Sequence, residues 1–169
     1  MLNGMPAKIL AVALSLLLVS PVAHCWDFDS IAPPPAAPTD LYRTARQVAD
    51  AELYLYERWN SHDMEGYLDC FWKSPDLSLI VDADRYTGWE ELRDQYLRSY
   101  RNPTDMGHIT VSRLQVLLLE PDVAVAVIEW VLASPSPHHT LIGLDTDILR
   151  RINGAWKVAG SHGSTHYGL

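Results

Sequence analysis

The chain of 169 residues carries 13 Lys and Arg against 21 Asp and Glu, a formal charge of −8, with 48% hydrophobic and 20% charged residues. That length suits one domain around one hydrophobic core. The acidic balance, without a basic stripe, argues against nucleic acid and anionic membrane surfaces as partners, because nothing is available to neutralise phosphates.

Residues 1–25 read as a secretory signal peptide. Lys8 supplies the positive start, Ile9 to Val19 is an apolar run too short to cross a bilayer comfortably, and Ser20-Pro21 end it. Ala23 and Cys25 then offer small residues at the positions that signal peptidase reads. The expectation is export to the periplasm or the exterior, with no stable membrane insertion after cleavage. Val22-Ala23-His24-Cys25 has some likeness to a lipobox, but His24 stands where that motif wants a small residue, so lipidation is not expected. The only cysteines are Cys25 and Cys70. Cleavage after Cys25 leaves Cys70 alone, with no disulfide and no cysteine metal site. Cys70, in an apolar helical segment, reads as a small buried hydrophobe.

Residues 26–39 form a tether stiffened by Ala32-Pro33-Pro34-Pro35-Ala36-Ala37-Pro38, and the folded domain is expected over 40–169. A first helix runs from Asp40 to about Asn60, with Thr39 as its cap. Its apolar stripe is Leu41, Ala45, Val48, Ala49, Leu55, Tyr56 and Trp59, and Glu52 falls inside it. A carboxylate aimed at a core needs a partner or a purpose. A short second helix is predicted over Asp63–Trp72, a turn at Lys73–Asp76, and a strand over Leu77–Val81. Thr87-Gly88 turns the chain into a third helix, Trp89–Tyr100. The remainder is strand-like: His108–Leu119, Val123–Leu132, Thr140–Arg151 and Ala155 to about His166, rich in β-branched residues and punctuated by Glu120-Pro121-Asp122 and the hairpin signal Asn153-Gly154. Helices first and a strand meander last predict an α+β domain with helices on one face of a curved antiparallel sheet.

Several stretches carry a resemblance. Trp59-Asn60-Ser61-His62-Asp63 resembles the link between the first two helices of SnoaL-like domains, Phe71–Leu77 the entry to their first strand, and Gly88-Trp89-Glu90-Glu91-Leu92 the opening of their third helix. Asp145–Arg151, Gly154–Val158 and Ser161–Ser164 resemble the last hairpin, also that of the association domain of calcium/calmodulin-dependent kinase II. Over roughly 40–166 the chain is thus similar to the SnoaL-like, NTF2-like superfamily, of the DUF4440 type. The resemblance implies an α+β cone, three N-terminal helices on a curved, mainly antiparallel sheet. It also implies a cavity between first helix and sheet, and often a homodimer through the sheet. It implies no single function, since members include ketosteroid isomerase, polyketide cyclases, dehydratases and non-catalytic binding or assembly domains.

A cofactor-free isomerase, cyclase or dehydratase needs a carboxylate base in an apolar pocket and hydrogen-bond donors for the developing oxyanion. Asp82, at the end of the first strand, is where the resemblance places such a base, with Asp84 as a rival. The competing reading is a solvated turn, Asp82-Ala83-Asp84-Arg85. Glu52 is the second candidate, either functional or paired with an arginine such as Arg151 or Arg113. Tyr56 shares its stripe and could donate a hydroxyl. Asp145 and Asp147, two apart on one strand, share a face: an acidic pair if that face is concave, solvated groups if it is convex. The kinase domain has arginines at the positions of Asp147 and Gly163, and this chain has neither. His162 fits the terminal H-x-S of the resemblance, as an acid–base group or a strand-bridging neutral imidazole. Trp59, Trp72 and Trp130 are candidate walls of a pocket for a small-molecule ligand, or simply core. No H-E-x-x-H, helical His pair, G-x-S-x-G, P-loop or Rossmann fingerprint occurs, so no metal and no cofactor is expected. The functional expectation is binding, with possible turnover, of a small apolar organic molecule. The alternative is a non-catalytic ligand-binding or dimerisation module.

Overall fold

A computed structural model describes residues 25–28, 39–134 and 140–168. The leader up to residue 24, most of the tether and residues 135–139, which include His138 and His139, lie outside the described residues. In chain order the elements are β1 (Cys25–Asp27), α1 (Thr39–Asn60), α2 (Met64–Leu68), β2 (Ser78–Val81), β3 (Asp84–Thr87), α3 (Trp89–Ser99) and a 3-10 turn (Pro103–Asp105). Four long strands follow: β4 (His108–Glu120), β5 (Val123–Ala133), β6 (Thr140–Ile152) and β7 (Ala155–Tyr167). They form one seven-stranded sheet in the order β1-β4-β5-β6-β7-β2-β3, antiparallel except where β2 runs parallel to β7.

Sequence periodicity explains the layering. Ala45, Val48, Ala49, Glu52, Leu55, Tyr56 and Trp59 of α1 are all buried, and that stripe lies across β4, β5 and β7. Leu41, assigned to the same stripe, is 43% exposed. The inner face of β5 is Ala124, Ala126, Ile128 and Trp130, growing from small to large along the strand. Register shifts in β4 at Val111/Arg113 and Leu118/Glu120, and between Ile148 and Leu149 against β7, bend the sheet around the helix.

The α+β architecture matches the expectation; the order of its parts differs. There are three α-helices among the described residues, but the hairpin β2–β3 separates the third from the first two, and β1 precedes them all. Asp84 and Arg85, part of the Asp82–Arg85 turn reading, belong to β3, which pairs with β2. Trp26 and Phe28, read as tether, lie instead at the sheet edge: β1 pairs with β4, and both rings pack on Tyr42 at 5.4 and 6.2 Å. Helix α2 ends at Leu68 rather than Trp72, because the backbone at Cys70 and Trp72 hydrogen-bonds to Val158 of β7 at 3.0 and 2.8 Å. Cys70 is buried and free, and burial pushes its thiol up to about 11, so it is packing rather than a nucleophile.

The link between α1 and α2 aims the rest. Asn60 donates to the carbonyl of Ile109 and accepts from its amide, both at 2.7 Å, which clamps the end of α1 to the start of β4. His62 takes a positive φ of 57°, and Asp63 caps α2 by accepting from the Gly66 amide at 2.9 Å. With the helix end fixed in this way, Trp59 is held against Tyr67 and Tyr100, ring centroids 5.2 and 4.9 Å away.

Candidate functional site

Between α1 and the concave sheet lies a cavity of about 300 Å³. Its helical side is aromatic: Tyr56 and Trp59 from α1, Tyr67 from α2, Tyr96 from α3 and Tyr100 just beyond it. Its sheet side combines aliphatic residues such as Leu79, Ile109 and Leu132 with Trp130 and two acids, Asp145 and Asp147.

The acids are placed by strand alternation. On β6 the residues Gly143, Asp145 and Asp147 point inward, while Ile142, Leu144 and Ile148 point out. Asp145 Oδ2 accepts from Trp130 Nε1 at 2.7 Å and from the Tyr56 hydroxyl at 3.2 Å. Burial raises the Asp145 pKa above the ordinary carboxylate range, and these two donors oppose the rise. Asp147 is 4% exposed; Ser161, its cross-strand partner on β7, hydrogen-bonds to it, and its Oδ1 has no partner. Burial first, then the charge of Asp145, raises Asp147 to about 7.

Glu52 is 1% exposed, and neither carboxylate oxygen has a hydrogen-bond partner. Burial first, then the charges of Asp147 and Asp145, holds its carboxyl well above the usual range. The ion pair considered for it does not form. Arg151 hydrogen-bonds Gln47 at 3.1 Å and lies over the Trp156 ring, and Arg113 pairs with Asp27 and Glu129. Tyr56, one helical turn after Glu52, stays a protonated donor, because burial and the same acids push its pKa well above 10.0.

Two strand glycines make this arrangement possible. Gly143 stands opposite Trp130, and a Cβ there would sit 2.1 Å from the indole ring. Gly163 stands opposite Asp145, and a Cβ there would lie 2.6 Å from Asp145 Oδ1. Neither was singled out from the sequence for this purpose, although a glycine inside a strand is the usual sign that another group approaches closely.

The other sequence candidates separate cleanly. Tyr56, Trp59, Trp130, Asp145 and Asp147 meet at the cavity, and Glu52 stands against the acids from α1. Asp82 touches the cavity wall but is exposed, and both oxygens are engaged by Thr165, at 2.7 Å from its amide and 2.9 Å from its hydroxyl. With φ of 52° it is the turn residue of the β2–β3 hairpin, which corrects its assignment as base. Asp84 is exposed on β3. His162 is exposed on the outer face of β7, flanked inward by Ser161 and Gly163, so it does not reach the cavity. Trp72 also lies away from the cavity, its ring 5.4 Å from the Arg150 guanidinium carbon. Among the described residues no group of three His, Cys, Asp or Glu has metal-holding geometry, and no helix is long and apolar enough to cross a membrane.

No protein-family model and no curated protein matches the sequence. Solved structures do match the fold. An NTF2-like protein of unknown function from Shewanella oneidensis aligns over 76% of this chain and 99% of its own, at 23% identity and a TM-score of 0.65. A candidate dehydratase of the NTF2-like family from Streptomyces avermitilis aligns over the same shares at 18% identity and 0.65. A protein of unknown function from the DUF3225 family of Pectobacterium atrosepticum aligns over 77% and 98%, at 17% identity and 0.60. At these identities the likeness is one of fold, and the narrower SnoaL-like and DUF4440 grouping rests on the sequence resemblance alone. By its architecture, then, the chain has the NTF2-like fold of these solved structures.

Proposed function

We propose that the cavity binds a small, largely apolar organic molecule and that Asp147 exchanges a proton with it without a cofactor, in chemistry of the isomerase, cyclase or dehydratase type. One observation carries this reading. A carboxyl 4% exposed, with one oxygen unpartnered and its pKa raised to about 7, lines an apolar cavity. A group poised near neutrality can both take and return a proton. Burial and the charge of Asp145 are what hold the Asp147 proton within reach, and Glu52, behind it, is itself held in the protonated form. Tyr56 and Trp130 orient Asp145, which supplies the fixed negative charge. The Trp59 Nε1–H is buried without a partner and is a donor for a ligand oxygen.

Native mass spectrometry of the purified domain, followed by NMR of the released ligand in D₂O, tests the reading. The expectation is a co-purifying molecule that takes up deuterium at carbon with the wild type and not with Asp147→Asn. Equal deuterium uptake with the variant removes Asp147 from the chemistry.

Two further proposals rest on different observations. Export rests on the leader pattern of residues 1–25, and N-terminal sequencing of the mature protein checks it. Homodimerisation through the sheet is supported by the exposed apolar row Ile142, Leu144 and Ile148 on the outer face of β6, 37%, 45% and 46% exposed. Light scattering of wild type and Leu144→Lys measures it.

A further inference from the structure

The cavity's wall chemistry is one-sided, and that one-sidedness names a ligand class. Its lining residues include Asp145 and Asp147, with Asp82 at the wall, and among the described residues that line it there is no Lys, Arg or His. Behind them on α1, Glu52 is a further carboxyl, buried, with neither oxygen hydrogen-bonded. Two acids lining an apolar pocket, Asp147 buried and Asp145 part-buried, with no cation among the described residues that line it, are incompletely compensated, since buried charges are ordinarily paired. The opposite wall presents aromatic rings: Trp59 lies with Tyr67 at 5.2 Å and Tyr100 at 4.9 Å, and Tyr96 is 5.4 Å from Tyr67. Aromatic faces attract cations through their quadrupole, and desolvation in a closed site strengthens that attraction.

We propose that the ligand of this cavity is an organic cation, a small apolar amine in its ammonium form, with the nitrogen against Asp147 and Asp145 on β6 and the apolar body against the rings of Trp59, Tyr96 and Tyr100. The assignment rests on the proposal that the cavity takes a ligand at all. The unpartnered Asp147 Oδ1, buried and at the cavity wall, is the acceptor an N–H would use. A carboxylate or phosphate ligand would meet Asp145 and Asp147 and, among the described lining residues, no cation. An inorganic cation would lack a metal-holding cluster among the described residues, and its hydration shell would gain nothing from the apolar rings. The one group able to satisfy acids and rings together is a cation with hydrocarbon attached.

Isothermal titration of the wild-type protein with benzylammonium, benzyltrimethylammonium, benzyl alcohol and benzoate at one pH decides it. The proposal predicts that both cations bind at least about tenfold tighter than benzyl alcohol and that benzoate does not bind. Asp147→Asn should lose most of the benzylammonium preference while benzyl alcohol binding is unchanged. Asp145→Asn is the second variant, with the same expected direction. Benzyl alcohol binding as tightly as the cations overturns the ligand class and leaves the pocket reading intact. Binding of benzoate in preference to all others overturns it as well. Failure of every probe to bind overturns both the ligand class and the pocket reading.

Discussion

Replacing Glu52 with methionine should make the protein more stable and less capable, and the size of the gain follows from the site. The Glu52 carboxyl is 1% exposed and both oxygens lack partners, and burying a polar group without hydrogen bonds costs roughly 1–3 kcal/mol on protein scales. A second cost grows with pH. The folded-state pKa of Glu52 is raised above its ordinary value of 4.5, so above that pH the unfolded chain releases a proton that the folded chain retains. Each pH unit in that window removes about 1.4 kcal/mol of stability. The sign is therefore that wild-type stability is greatest below the unfolded pKa and falls as pH rises toward the folded one. Methionine fills a similar volume and carries neither cost. Its own repacking should consume part of the benefit, so Glu52→Met is expected to gain about 2–4 kcal/mol at pH 7, on the order of 10 °C in Tm, and much less at pH 4. Urea unfolding of both proteins at half-unit steps from pH 4 to pH 8 measures this directly. A variant less stable than wild type at pH 7, or a gain that is flat across the range, would refute the claim that Glu52 is an uncompensated buried acid.

Other perturbations separate the cavity from its surroundings. Gly143→Ala forces the Trp130 ring off its position and breaks its bond to Asp145, and should cost about 3 kcal/mol by thermal unfolding together with a changed Trp fluorescence spectrum. Asn60→Ala strands the buried amide and carbonyl of Ile109 and should cost roughly 1–3 kcal/mol in urea unfolding. Asp82→Ala should lower the melting temperature, measured by thermal unfolding, by releasing Thr165 and placing a strained φ in the turn. His162→Ala, on the outer face, should change neither binding nor stability.

The parts legible from the sequence were those set by a single local period. The stripe of α1 isolates Glu52 as the one acid among buried apolar positions, and the two-residue spacing of Asp145 and Asp147 fixes their common face, although only the register of β6 shows that face to be concave. His162 shows where local reading ends. Alternation continued from Trp156 and Val158 would carry residue 162 inward, but β7 gains an extra residue at Ala159, opposite the step from Ile148 to Leu149, and its parity inverts so that Ser161 and Gly163 face the cavity. Asp82 failed for a different reason. A strand-end position is shared by bases and by turn residues, and only the approach of Thr165 from β7, 83 positions away, distinguishes them. The Tyr67, Tyr96 and Tyr100 wall likewise depends on three elements converging, which no local pattern encodes.

Asp147 and Glu52 are buried acids, with no cation among the described residues that line the cavity, and their titration tests the site most directly. Carboxyl-carbon NMR of protein labelled in Asp and Glu, followed from pH 3 to pH 10, should show Asp147 titrating at about 7 and Glu52 far above 4.5. Both carboxyls titrating together in the ordinary range near pH 4 would contradict it.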